Sequence, residues 1–192
     1  MGNTAQRNML DNSALSTKNK IQKAILGIPD PNLRAVFRSQ LKELGFKEIH
    51  SPSDTAATVN LLKQVPDALL IMNWERDPVE RAQILTAAQG KVRVDTRPIY
   101  LVATSISKEL ILAGSEYNVA RIQTGDMSSA SIETYLQSIL EEETRVGGLR
   151  DGLRRVAEAR LQQNYSQADM VLRGLIQTFP SDPYIMTEMA DN

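Results

Sequence analysis

The chain has no cysteine, one histidine and few aromatic residues, 5% of 192. Without cysteine there is no disulfide frame, no thiol nucleophile and no Cys-ligated zinc. His50, the single histidine, has no ligand set or catalytic pair beside it in sequence and reads as a surface residue. An excess of charge of one sign is also missing: 22 Lys and Arg face 23 Asp and Glu, for a formal net charge of −1. That balance excludes the basic surface on which nucleic-acid binding depends. No apolar run approaches the roughly 18 residues of a membrane-spanning helix. Residues 1–20 (MGNTAQRNMLDNSALSTKNK) lack the apolar core of a secretory signal and read as a polar tail. What remains is a hydrophobic fraction of 42%, enough for a core. The length suits one domain, or one with a small appendage. The expectation is a soluble cytoplasmic protein.

From Ile21 onward, short apolar runs alternate with amphipathic stretches of helical length. The runs are Ala24–Ile28, Lys47–His50, Ala68–Met72, Ile99–Ala103 and Asn118–Ile122. Between and after them lie Asn32–Leu44, Asp54–Gln64, Val79–Gln89, Lys108–Glu116 and Ser129–Glu143. Leu33, Val36, Phe37, Leu41 and Leu44 recur at helical spacing, and Gly45 follows where a left-handed C-cap belongs. Ser105 or Ser107, and Ser128 or Ser129, suit helix N-caps. Fully apolar central runs alternating with helices predict an α/β fold with a parallel sheet covered on both faces. Five such units match the flavodoxin-like doubly wound order 2-1-3-4-5, whose chemistry sits at the carboxyl ends of the strands.

The wording of these segments resembles the receiver domain of bacterial two-component response regulators over residues 21–145. The resemblance is carried by AILGIPDP at 24–31, LKELGF at 41–46, LIMNW at 70–74, PIYLVAT at 98–104 and Ala113-Gly114. It implies phosphoryl transfer to a carboxylate after the third strand, with Mg²⁺ held by acids after the first. It also implies a hydroxyl after the fourth strand and a lysine after the fifth. Residue by residue, this chain departs from that set. Aligning Asp30-Pro31 puts Ile28 and Pro29 at the metal-binding positions, and Asp30 falls one place late. Asn73 stands at the phosphoacceptor position, and an amide is no nucleophile towards phosphate. Ala103 takes the hydroxyl position with Thr104 next to it. Arg121 falls near the lysine position, followed by a loop longer than a receiver needs. A one-residue slip rescues Asp30 or Thr104 but supplies no acid for Asn73. The degenerate site is therefore Ile28, Pro29, Asp30, Asn73, Ala103, Thr104 and Arg121.

After Glu141–Glu143 the pattern changes, and Gly147-Gly148 is expected to break or bend the chain near residue 146. Two helical stretches follow, Leu149–Gln163 and Tyr165–Phe179. Tyr165, Ala168, Leu172, Leu175 and Pro180 stand at offsets of 3, 7, 10 and 15 from the first, which resembles the second helix of a tetratricopeptide repeat. Residues 146–192 then read as the opening of a repeat array, an all-α hairpin that binds protein.

These readings imply a non-catalytic signalling adaptor that binds protein partners, without cofactor, metal, nucleic acid or membrane. Through the receiver resemblance, residues 107–140 are the partner face and a possible homodimer face. Tyr117 and Tyr135 are candidate anchors there, and Arg150 and Arg154 form a basic strip on the following helix. Two alternatives stand beside this. One is a small-molecule or anion-sensing pseudo-receiver, the other a true phosphoacceptor using a substitute acid.

Overall fold

The computed structural model describes residues 21–89, 97–117, 119–180 and 185. Five parallel strands form one sheet in the order β2-β1-β3-β4-β5. They are β1 (Lys23–Gly27), β2 (Glu48–His50), β3 (Leu69–Asn73), β4 (Ile99–Ala103) and β5 (Arg121–Thr124). Alternate residues of each central strand feed opposite faces, because a strand's side chains change side at every step. Ala24, Leu26, Leu69, Ile71, Tyr100 and Val102 join one core, closed by Phe37 and Leu41 of α1 (Pro31–Glu43) and by Ile132, Leu136 and Ile139 of α5 (Ser129–Leu161). Ile25, Leu70, Met72, Ile99 and Leu101 join the other. That side is closed by α2 (Thr55–Gln64), α3 (Pro78–Ala88) and α4 (Lys108–Glu116), chiefly through Leu62, Ile84, Leu85 and Leu110. The doubly wound sheet expected from the sequence is the sheet observed.

Local signals fix the element ends. Asp30, Asp54, Asp77, Ser107 and Ser128 each cap the helix that follows, their side-chain oxygens accepting backbone N–H bonds. Gly45 stands at φ 86°, while the Gly45 N–H donates to Lys42 O and the Phe46 N–H to Leu41 O. That is the paired 5→2 and 6→1 pattern of a Schellman ending.

Two expectations need correction. The fifth strand was expected over 118–122 and lies at Arg121–Thr124. Val119 and Ala120 pack partly against the two cores before the ladder proper is reached, so their apolarity marks the approach to the strand. Gly147-Gly148 does not interrupt the chain either: α5 runs unbroken for 33 residues, about 50 Å at 1.5 Å per residue. Two helical glycines cost about 2 kcal/mol against alanine. The helix is anchored on both sides of them, by Ile132, Leu136, Ile139 and Leu140 before and by Leu149, Leu153, Val156 and Ala159 after.

The distal part of α5 pairs with α6 (Tyr165–Thr178) across the turn Gln162–Asn164. Ala168, Leu172 and Leu175 bury against Leu149, Leu153, Val156 and Ala159, and Ile185 joins them. Of the repeat-like positions, Tyr165 and Pro180 differ: Tyr165 stays 60% exposed, and Pro180 is exposed as well. The hairpin core, which begins at Leu149, is separate from the two cores of the sheet, to which α5 contributes up to Leu140. Among the described residues, no helix is long and apolar enough to cross a membrane.

Candidate functional site at the carboxyl end of the sheet

The carboxyl ends of β1, β3 and β4 bring Ile28, Pro29, Asp30, Asn73, Ala103 and Thr104 to one end of the sheet. Gly27 pairs with Met72, and Asn73 with Val102. Arg121 is not among them. It begins β5, paired with Tyr100 at the opposite end of the ladder, and its Nε donates to Ser138 Oγ at 3.0 Å. The residue beside Ala103 is Thr124, followed by Gly125 at φ 81°. The strand starts three residues and ends two residues later than expected, which places Arg121 outside the site and leaves a four-residue loop, Gly125–Ser128.

The β1 end holds no metal set. Ile28 is fully buried in the apolar core. Pro29 carries no ligand atom in its side chain. The Asp30 carboxylate is engaged as the cap of α1, accepting from the Leu33 N–H at 2.7 Å. The Arg76 guanidinium reaches this end: Nε donates to Gly27 O at 3.2 Å and Nη1 to Thr55 Oγ1 at 3.4 Å. Its Nη1 also pairs with Glu80 Oε2 at 3.3 Å, and the side chain is only 8% exposed. Among the described residues, no group of three or more His, Asp or Glu is gathered as a metal would require. The residues at this end do not fit a hard divalent cation, which wants several oxygen ligands.

The turn after β3 is pinned at each residue. Asn73 Oδ1 accepts the Glu75 N–H at 2.8 Å, so the amide is spent on its own turn. The Trp74 N–H donates to Val102 O at 2.7 Å, and its carbonyl accepts from Arg81 Nη1 at 2.8 Å. The same guanidinium lies 4.1 Å from the Trp74 ring centroid, a cation–π contact. Glu75 Oε1 accepts from both the Thr104 N–H at 2.6 Å and the Thr104 Oγ at 2.9 Å. Asp77 caps α3 through the Val79 N–H at 2.8 Å.

Beside the site, Tyr100 and Gln123 form a buried polar pair. The Tyr100 hydroxyl donates to Gln123 Oε1, and Gln123 Nε2 donates to Asp126 O and to Ser131 Oγ at 2.8 Å. Burial, with Tyr135 nearby adding to it, pushes the Tyr100 phenol far above its ordinary range and keeps the proton on oxygen. Glu75 is visible in the sequence only as an acid two residues after Asn73, and nothing in the pattern singles out Arg76 or Gln123. The first two lie in a polar turn, and an edge-strand glutamine looks solvated until its partner is seen.

The sequence matches no known family description. The chain is similar to the chemotaxis response regulator CheY4 of Vibrio cholerae, with a TM-score of 0.53 and 14% identity. That match covers 62% of this chain and 98% of CheY4. The fold is that of a response-regulator receiver domain. The phosphorylated cyanobacterial phytochrome response regulator RcpA also matches, with a TM-score of 0.50 and 15% identity, covering 64% of this chain and 92% of RcpA. At these identities the likeness establishes the receiver fold alone. More than a third of this chain, in both comparisons, lies outside the match.

Of the proposed partner residues, Tyr117 and Tyr135 are half-buried and pack against the two sheet cores. Tyr135 lies 6.2 Å from the Tyr100 ring, centroid to centroid. Exposed apolar side chains on and just before α4 are Ile106, Ile111 and Leu112, at 66%, 55% and 57%. The run LILA at 110–113 held that signal, since a helix of this length turns only one face to the sheet. Arg154 is exposed on α5, and the Arg150 side chain lies outside the described residues.

Proposed function

We propose that this chain is a non-catalytic signalling adaptor. Its receiver-like domain binds protein without being phosphorylated, and α5 joins that domain to a tetratricopeptide-like hairpin that also binds protein. The observation that carries this reading is Asn73. It occupies the end of the central strand, where receiver chemistry needs a carboxylate, and its amide oxygen is engaged by the Glu75 N–H. The β1 end supports the same conclusion, because an apolar side chain, a proline and a helix cap stand where metal ligands would be needed.

The surface on and around α4 is the proposed partner face. Ile111 and Leu112 stand exposed there beside Ile106, and a few such apolar side chains buried together carry most of an interface's affinity. Self-association through this face is the simplest form of the proposal. Light scattering at high micromolar concentration tests it, with and without Mg²⁺ and acetyl phosphate. We expect association that is the same in both conditions and that Ile111→Glu with Leu112→Glu abolishes. A strict monomer contradicts the dimer, and association that depends on the phosphodonor contradicts the adaptor reading. The hairpin reading is supported by burial of Ala168, Leu172 and Leu175 against the distal part of α5.

A further inference from the structure

Two donors at the end of β4, the Thr104 N–H and Oγ, converge on one carboxylate oxygen of Glu75. Two donors aimed at a single oxygen make an oxyanion site, and charge-assisted bonds of this kind are short and strong. On the other flank of the same turn, the next residue, Arg76, places its guanidinium on the carbonyl that ends β1. We propose that the carboxyl end of this sheet is an oxyanion site whose resident ligand is the chain's own Glu75, with Arg76 as the resident cation on the β1 side. The turn after β3 thus carries both ions in adjacent residues and staples the loops after β1 and β4 to itself.

The geometry gives this arrangement a consequence. Thr104 leads through Ser105 and Ile106 into the Ser107 cap of α4. Holding Thr104 fixes the start of that segment, and with it exposed Ile106. The state of this end is set by a covalently attached carboxylate at high effective concentration, so a free anion competes poorly for the same donors. External tetrahedral oxyanions fit the two donors once the carboxylate is removed. The inference rests on the placement of Glu75, Arg76 and Thr104 and not on the adaptor reading.

The test uses the full chain with Glu75→Ala, which removes the carboxylate and leaves both donors, and Glu75→Gln, which keeps the size and loses the charge. Amide hydrogen exchange at Thr104 is read by NMR with inorganic phosphate or with sodium chloride at matched ionic strength. In the parent chain, we expect slow exchange that phosphate does not change. In Glu75→Ala, exchange accelerates tenfold or more, and phosphate slows it again in a saturable way that chloride does not reproduce. Glu75→Gln falls between the two in chloride and stays folded, which separates loss of the clasp from loss of structure. The inference is overturned if Thr104 exchanges equally fast in the parent chain and Glu75→Ala. It is equally overturned if phosphate leaves Glu75→Ala unchanged, or acts on the parent chain as strongly. Either failure leaves the adaptor reading standing, because that reading turns on Asn73.

Discussion

At the scale of single residues, the chain shows how far type and spacing reach. Ile28, Pro29 and Asn73 could be placed at the strand ends from the sequence because apolar runs hold them in register and a strand end leaves little room for slippage. Gly45 was legible because a left-handed helix ending favours glycine, and the turn has φ 86°. Arg97 was not legible. It is nearly buried, donating to Leu62 O, Val65 O and Ala88 O at 2.5, 2.8 and 3.3 Å. It thereby satisfies carbonyls at the ends of α2 and α3. Burial lowers its guanidinium to about 10, Asp67 offsetting part of the shift, so the group remains charged at neutral pH. A sequence cannot show that one arginine fits between two helix ends, because its partners are backbone atoms 9 to 35 residues away. Arg97→Met keeps the apolar stem and removes the donors. We expect a loss of about 1.5–3 kcal/mol, read from urea unfolding, with the sheet retained. An unchanged midpoint would mean that water satisfies those carbonyls equally well.

At the scale of elements, the two errors have one origin: each weighed local signals without the packing that overrides them. The fifth strand begins later than its apolar run because Gln123, fully polar, is taken inside by Tyr100. The long helix ignores two glycines because both of its halves have cores to join. A third glycine does have a positional role. A Cβ on Gly152 would lie 2.4 Å from Leu175 Cδ2 and 2.9 Å from Leu175 Cγ, so the missing side chain is what lets α6 approach α5. Gly152→Ala should destabilise the hairpin by about 1–3 kcal/mol by overpacking. Adding Leu175→Ala should make the second change cost less than it does alone, a coupling that a double-mutant cycle in urea reads directly. Purely additive effects would show that the two residues do not press on each other. The same hairpin ends α5 with Gln163 at φ 56°, where its N–H donates to Arg160 O and the Asn164 N–H to Ala159 O. That is the ending Gly45 gives α1, built here without glycine.

At the scale of the whole molecule, a receiver-fold sheet and a helical hairpin share one helix, each with its own core. The fold class and strand order were legible because parallel strands buried on both faces leave an unmistakable apolar run. The composition of the site's replacement groups was not. Absence of the expected acids can be read from a sequence, whereas the hydrogen bonds of the Glu75 carboxylate and the Arg76 guanidinium come into view only with the turn folded. The count of 23 acids says nothing about the site until each acid is located. Asp30 and Asp77 are helix caps, Glu80 pairs with Arg76, and Glu75 binds Thr104. We propose that this end of the sheet is closed to phosphoryl transfer. Intact-protein mass spectrometry after incubation with Mg²⁺ and acetyl phosphate tests it most directly. A single unmodified mass is expected, and a hydroxylamine-labile species about 80 Da heavier would contradict the proposal.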